Sequence, residues 1–109
     1  MTALAAISGQ PRSVPAHFDA EVLRGLRRVA RRGFLTRPRL DATVRLLAQF
    51  SAERVPLRAL LLRAHALGDR FSAGDAFYIA LARAYDAELV SCDRRLARGA
   101  DGIARVRLV

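Results

Sequence analysis

The sequence predicts an α/β domain in which a short parallel sheet is flanked by helices. Short strand-like runs alternate with longer helical runs, the pattern of a parallel sheet with crossover helices. Hydrophobic residues make up 52% of the chain, enough for a packed core and too many for wholesale disorder. The length of 109 residues suits one small domain, 1–109, and is too short for two.

Residues 2–8 read as a fragment of helix closed by Gly9. Residues 13–18, Ser-Val-Pro-Ala-His-Phe, read as a short strand, with Pro15 arguing for an edge or a strand end. Asp19 is a plausible N-cap for a helix to about Arg32. Its apolar stripe is Val22, Leu23, Leu26, Val29 and Ala30, and Gly33 is the expected terminator. A second helix runs from about Pro38 to Phe50, with Leu40, Val44, Leu47 and Ala48 on one face and Pro38 in its first turn. Val55-Pro56-Leu57 is a weak strand candidate. Leu60, Leu61, Ala64 and Leu67 mark another amphipathic helix, ended by Gly68. Ser72 caps a helix from Ala73 to about Tyr85. Glu88-Leu89-Val90-Ser91-Cys92 is a strand, Arg94–Arg98 a turn or short helix, and Ile103 to Val109 a final strand.

Composition excludes several classes of function. No apolar run approaches the roughly 18 residues of a membrane span, and Ala3-Leu4-Ala5-Ala6-Ile7 is too short for a signal-peptide core. A cytoplasmic location is expected. The single cysteine, Cys92, forms no internal disulfide, fits a reducing compartment and is expected to pack in the core. One cysteine and two distant histidines, His17 and His65, make no zinc pattern; both histidines are expected at the surface or partly buried. The net charge is +9, carried wholly by arginine. A phosphate-rich partner such as RNA accounts for this, and so does a GC-rich genome. Arg27-Arg28 and Arg31-Arg32 read first as a solvated helix face. A basic RNA-binding module without chemistry ranks last, because the chain has no tryptophan, two tyrosines and five phenylalanines, too few for stacking platforms.

Three acidic residues occupy equivalent places. Glu21 follows a strand in the first turn of a helix, Asp75 lies in the first turn of its helix, and Asp93 directly follows a strand. The helix from Asp75 spans about 12 residues, roughly 18 Å. The strand ending at Cys92 returns over about 5 residues, roughly 17 Å. Asp75 and Asp93 are therefore expected at the same sheet edge, where ligands of open parallel sheets bind, and Glu21 reaches it by the same route. Converging carboxylates need a cation. All-oxygen ligands suit Mg²⁺ or Mn²⁺, and a metal beside an arginine-rich surface suggests phosphodiester hydrolysis. Each acid also has a plainer role open to it. Ser72-Ala73-Gly74-Asp75 fits a capping-box variant, Asp93 can cap the turn at Arg94-Arg95, and Glu21 can offset a helix dipole.

These segments resemble the PIN-domain family, and within it the VapC-like ribonuclease toxins. Val14-Pro15-Ala16-His17-Phe18-Asp19-Ala20-Glu21-Val22-Leu23 resembles the family's second strand and glutamate-bearing helix. Ser72-Ala73-Gly74-Asp75-Ala76-Phe77-Tyr78-Ile79-Ala80-Leu81-Ala82 resembles the "T-x-Y-D-A-x-Y-x-A-L-A" helix. Leu89-Val90-Ser91-Cys92-Asp93-Arg94-Arg95-Leu96-Ala97 resembles the "L-V-T-x-D-x-x-L" strand and turn. The resemblance implies a PIN-like three-layer fold and a Mg²⁺-dependent (or Mn²⁺-dependent) endoribonuclease. It also implies a toxin paired with a VapB-like antitoxin that blocks the acidic pocket, often as a homodimer. Glu21, Asp75 and Asp93 would be catalytic and metal-binding. Ser91, in the place of a threonine, would orient a carboxylate or water, and Arg94 and Arg95 would contact RNA. Gly74 replaces the usual tyrosine, a change expected to alter packing more than chemistry.

The family pattern opens with a strand ending in aspartate, "V-V-D-A-S", that nothing here matches. The first strand, first helix and first acidic ligand are thus expected to be missing, through a start placed too late or a true truncation. In the family's strand order, 3-2-1-4-5, that loss would leave a central gap with unpaired backbone on both flanks. A catalytically inactive remnant that binds only an antitoxin or RNA is the alternative function.

Overall fold

A computed structural model of the chain describes residues 3–6 and 12–109. The elements in order are β1 (Ala3–Ala6), β2 (Arg12–Pro15), α1 (Phe18–Arg31), α2 (Arg37–Ala48), β3 (Glu53–Val55), α3 (Leu57–Ala66), α4 (Ala73–Ala84), β4 (Glu88–Ser91), α5 (Arg94–Gly99) and β5 (Val106–Leu108). The strands form one sheet of order β3-β2-β1-β4-β5. The α/β class is as the sequence predicts, and β2–β3 and β4–β5 pair in parallel.

The centre of the sheet departs from expectation twice. Ala3–Ala6 is strand where residues 2–8 read as helix; the remainder of that range lies outside the described residues. The expected central gap is filled by this strand, which runs antiparallel to both β2 and β4. Ala and Leu favour helix in isolation, but the inner edges of β2 and β4 present backbone groups that need partners, and a strand satisfies both at once. Only five positions separate β1 from β2 in sequence, and a parallel neighbour would need a crossover of a dozen or more residues. Antiparallel pairing is therefore the only orientation open to β1 beside β2.

α4 is the central helix. Ala76 and all of Tyr78–Ala82 are buried, and the helix packs across β1, β2, β4 and α3. Such all-round burial matches its run of small and apolar residues. Val14, Val55, Leu60, Leu89 and Leu96 complete the core.

The helix boundaries follow local chemistry. Thr36 accepts the Arg39 N–H at the start of α2, and Ser72 accepts the Asp75 N–H at the start of α4. Gly33 and Gly68 stop their helices at φ 83° and 64°. Asp19 does not cap α1. His17 holds the N-cap position, and Asp19 sits in the first turn, where its carboxylate takes both ends of the Arg54 guanidinium at 2.9 and 3.1 Å. No helix among the described residues is long and apolar enough to cross a membrane.

Candidate active site

β2 ends at Pro15 and the chain turns into α1, which places Glu21 in that helix's first turn. Asp75 occupies the first turn of α4. β4 ends at Ser91, and Asp93 follows as the N-cap of α5. These segments, distant in sequence, meet at one rim of the sheet. Glu21, Asp75 and Asp93 line a single cleft of about 260 Å³ together with Ser72, Arg24, Gly25 and Arg28. β1 brings no carboxylate to it. Ala3 pairs with Ser91, so β1 begins at this rim instead of ending there, and its residues are Ala-Leu-Ala-Ala.

The three carboxylates stand in different surroundings. One oxygen of Asp93, Oδ1, accepts the Arg95 and Leu96 N–H groups at 2.9 and 3.2 Å, so Asp93 does cap its turn. The Asp93 N–H in turn donates to Oγ of the buried Ser91 at 3.0 Å, which fixes the aspartate on its strand. Asp75 has its pKa raised, chiefly by burial. A hydrogen bond from Ser72 opposes the shift, and the negative charges of Asp93 and Glu21 add to it.

Glu21 is largely enclosed, its side chain 13% exposed. Its Oε1 lies 3.6 Å from His17 Nε2 and has no hydrogen-bond partner. The fully buried Tyr78 hydroxyl is likewise unpartnered. Burial, and then the charge of Glu21, push the Tyr78 phenol well above its ordinary range, so it stays neutral. His17 is itself seated by Nε2 against the Gly74 carbonyl at 3.1 Å and by its ring against Phe77 and Tyr78.

The donor chemistry fits a hard divalent cation: three carboxylates share a cleft, the charges of Asp93 and Glu21 add to the raised pKa of Asp75, and one buried oxygen has no partner. As the side chains stand, no three His, Cys, Asp or Glu residues among those described gather closely enough to hold a metal ion. Glu21 is drawn back toward His17 and the first turn of α4.

Arg27, Arg28, Arg31 and Arg32 are exposed, as a solvated helix face requires, and Arg28 also lines this cleft together with Arg24. Their spacing was the available signal: positions 21, 24, 25 and 28 form one helical stripe. Arg94 and Arg95 lie exposed on α5 outside the lining of the cleft, and Arg94 borders a separate groove with Ala97, Arg98, Asp101 and Leu108. His17 is partly buried and His65 exposed, as anticipated. Cys92 is exposed, not in the core. Burial alternates along β4, with Leu89 and Ser91 inward, so position 92 turns outward.

Comparison with known proteins gives the family. The family model described as PIN domain matches residues 1–102. Ribonuclease VapC3 of Mycobacterium tuberculosis is 43% identical over 84 residues, which are 77% of this chain and 61% of that protein. Ribonuclease VapC12 of the same organism is 30% identical over 103 residues, 94% of this chain and 80% of that protein. The VapC ribonuclease Mb0985 of Mycobacterium bovis is 33% identical over 90 residues, 83% of this chain and 71% of that protein. The chain thus spans about three fifths of the VapC3 relative's length. With the family model covering nearly all of its residues, the chain belongs to the PIN-domain family.

Proposed function

We propose that this protein is a Mg²⁺- or Mn²⁺-dependent endoribonuclease of the VapC type, the toxin of a toxin–antitoxin pair. The observation that carries the reading is the convergence of Glu21, Asp75 and Asp93, from three separate segments, on one arginine-walled cleft. Glu21, Asp75 and Asp93 would hold the cation, Asp93 through the oxygen not engaged in capping α5. When bound, such a cation polarises a phosphate and lowers the pKa of an attacking water. Ser91 keeps Asp93 in place through its N–H. Arg24 and Arg28 on the cleft wall, with Arg94 and Arg95 beside Asp93 in sequence, would orient the RNA backbone by charge-assisted hydrogen bonds to phosphate.

Partners of this reading are an RNA substrate, a VapB-like antitoxin and a second copy of the chain, within the cytoplasm. A second reading, an inactive remnant that binds only antitoxin or RNA, is favoured by one observation: among the described residues β1 supplies no acid to the rim.

One assay separates the two. The purified chain should cleave RNA when Mg²⁺ or Mn²⁺ is added. Asp75→Asn should reduce cleavage beyond the roughly 10- to 100-fold that loss of an outer-shell partner brings. Equal cleavage by wild type and variant would refute the nuclease assignment. Absence of cleavage, with retained binding to a co-expressed antitoxin, would select the remnant.

A further inference from the structure

The position of Glu21 depends on the absence of a side chain at residue 74. Gly74 is the second residue of α4, directly before Asp75. A Cβ built on Gly74 would lie 2.8 Å from Glu21 Oε2, closer than such contacts allow; the nearest atom outside Glu21 is His17 Nε2, at an ordinary 3.8 Å. The Glu21 carboxylate therefore occupies the space that any other residue at 74 would fill. Its other neighbours there are the seated imidazole of His17 and the hydroxyl of Tyr78. The open direction left to it is the cleft it shares with Asp75 and Asp93.

We propose that Gly74 is a positioning residue that lets Glu21 withdraw from the acidic cleft, and that a methyl group at 74 would drive the carboxylate back into it and tighten cation binding. The inference rests on reading Glu21, Asp75 and Asp93 as the cation site. It accounts for two otherwise separate facts: the three acids share a cleft, yet no three metal-binding side chains among the described residues gather closely. The displaced group is the far end of a flexible side chain, so the relief needs a rotamer change in Glu21 and no movement of α4.

The test is Mn²⁺ binding by titration calorimetry to the whole chain as wild type, Gly74→Ala, Glu21→Gln, the double variant and Asp75→Asn. Gly74→Ala is expected to bind Mn²⁺ about 10-fold more tightly than wild type, the lower end of the roughly 10- to 100-fold by which groups outside the ligand shell change metal affinity. The double variant is expected to bind no better than Glu21→Gln. Unchanged or weaker binding by Gly74→Ala would overturn the inference, while loss of binding in Asp75→Asn would leave the site reading intact. A gain that persists without the Glu21 carboxylate would also overturn it, since a stiffer α4 would then be the cause. No Mn²⁺ binding by any of the proteins would overturn the site reading and this inference together. Should Gly74→Ala melt below wild type, Gly74→Ser provides the same Cβ and carries the same expectation.

Discussion

Asp19 and Glu21 sit two positions apart in the first turn of α1, and the fold treats their charges in opposite ways. Asp19 faces Arg54, which grips both carboxylate oxygens and also donates to the Phe50 and Ala52 carbonyls at 2.8 and 2.9 Å. The guanidinium lies over the Phe50 ring as well. Every part of that cluster is answered by another part. Glu21 is more enclosed than Asp19, at 13% against 45% exposure, yet its Oε1 has no hydrogen bond. A buried charge without a partner is unfavourable, and more so beside two further acids. One acid locks β3 to α1; the other has a carboxylate oxygen with no hydrogen bond.

Substitutions can break this contrast. The largest effect is expected at Arg54. Arg54→Ala removes the paired bonds to Asp19, two carbonyl bonds and packing on Phe50, and should cost about 2 kcal/mol in a urea titration, with solvent screening holding it below a fully buried network. Glu21→Gln should cost nothing comparable and should leave the cation-free protein as stable or more so. Equal losses would erase the distinction between the two acids.

Asp75 sharpens the same point through pH. Its folded-state pKa lies above the ordinary 3.8, so folding disfavours the charged form. The resulting stability is present below the ordinary value and is lost as pH rises through the raised one. Without divalent cations, Asp75→Asn is expected to melt above wild type at neutral pH, with the gap closing as the buffer falls below that ordinary value. A wild type that melts higher at neutral pH would show that the rim carboxylates stabilise the fold by themselves.

The smallest effect is expected at Tyr78. Its hydroxyl already lacks a partner, so Tyr78→Phe should stay within about 0.5 kcal/mol of wild type in the same titration. A larger loss would mean that the phenol holds the Glu21 carboxylate.

Elements with strong local signals were legible in the sequence. Ser72 capping α4, the apolar run of β4 and the glycine stops at 33 and 68 all depend on neighbours a few residues away. The three acids were legible for the same reason, each being tied to the start of a helix or the end of a strand. β1 was not, because Ala-Leu-Ala-Ala favours helix until the backbones of β2 and β4 on either side demand a strand. Arg24 and Arg28 could be found from helical spacing relative to Glu21. The packing of Glu21 on Gly74, His17 and Tyr78 could not, since it arises only where α1 and α4 come together. Gly74, read from sequence as a matter of packing, lies where any Cβ would meet the Glu21 carboxylate.

The most direct test of the central claim is melting temperature against Mn²⁺ concentration for wild type, Asp75→Asn and Asp93→Asn. A cation that binds only the folded rim should raise the wild-type melting temperature progressively and leave both variants unmoved. A flat wild-type response, or an equal rise in all three, would mean that the rim carboxylates do not hold a cation.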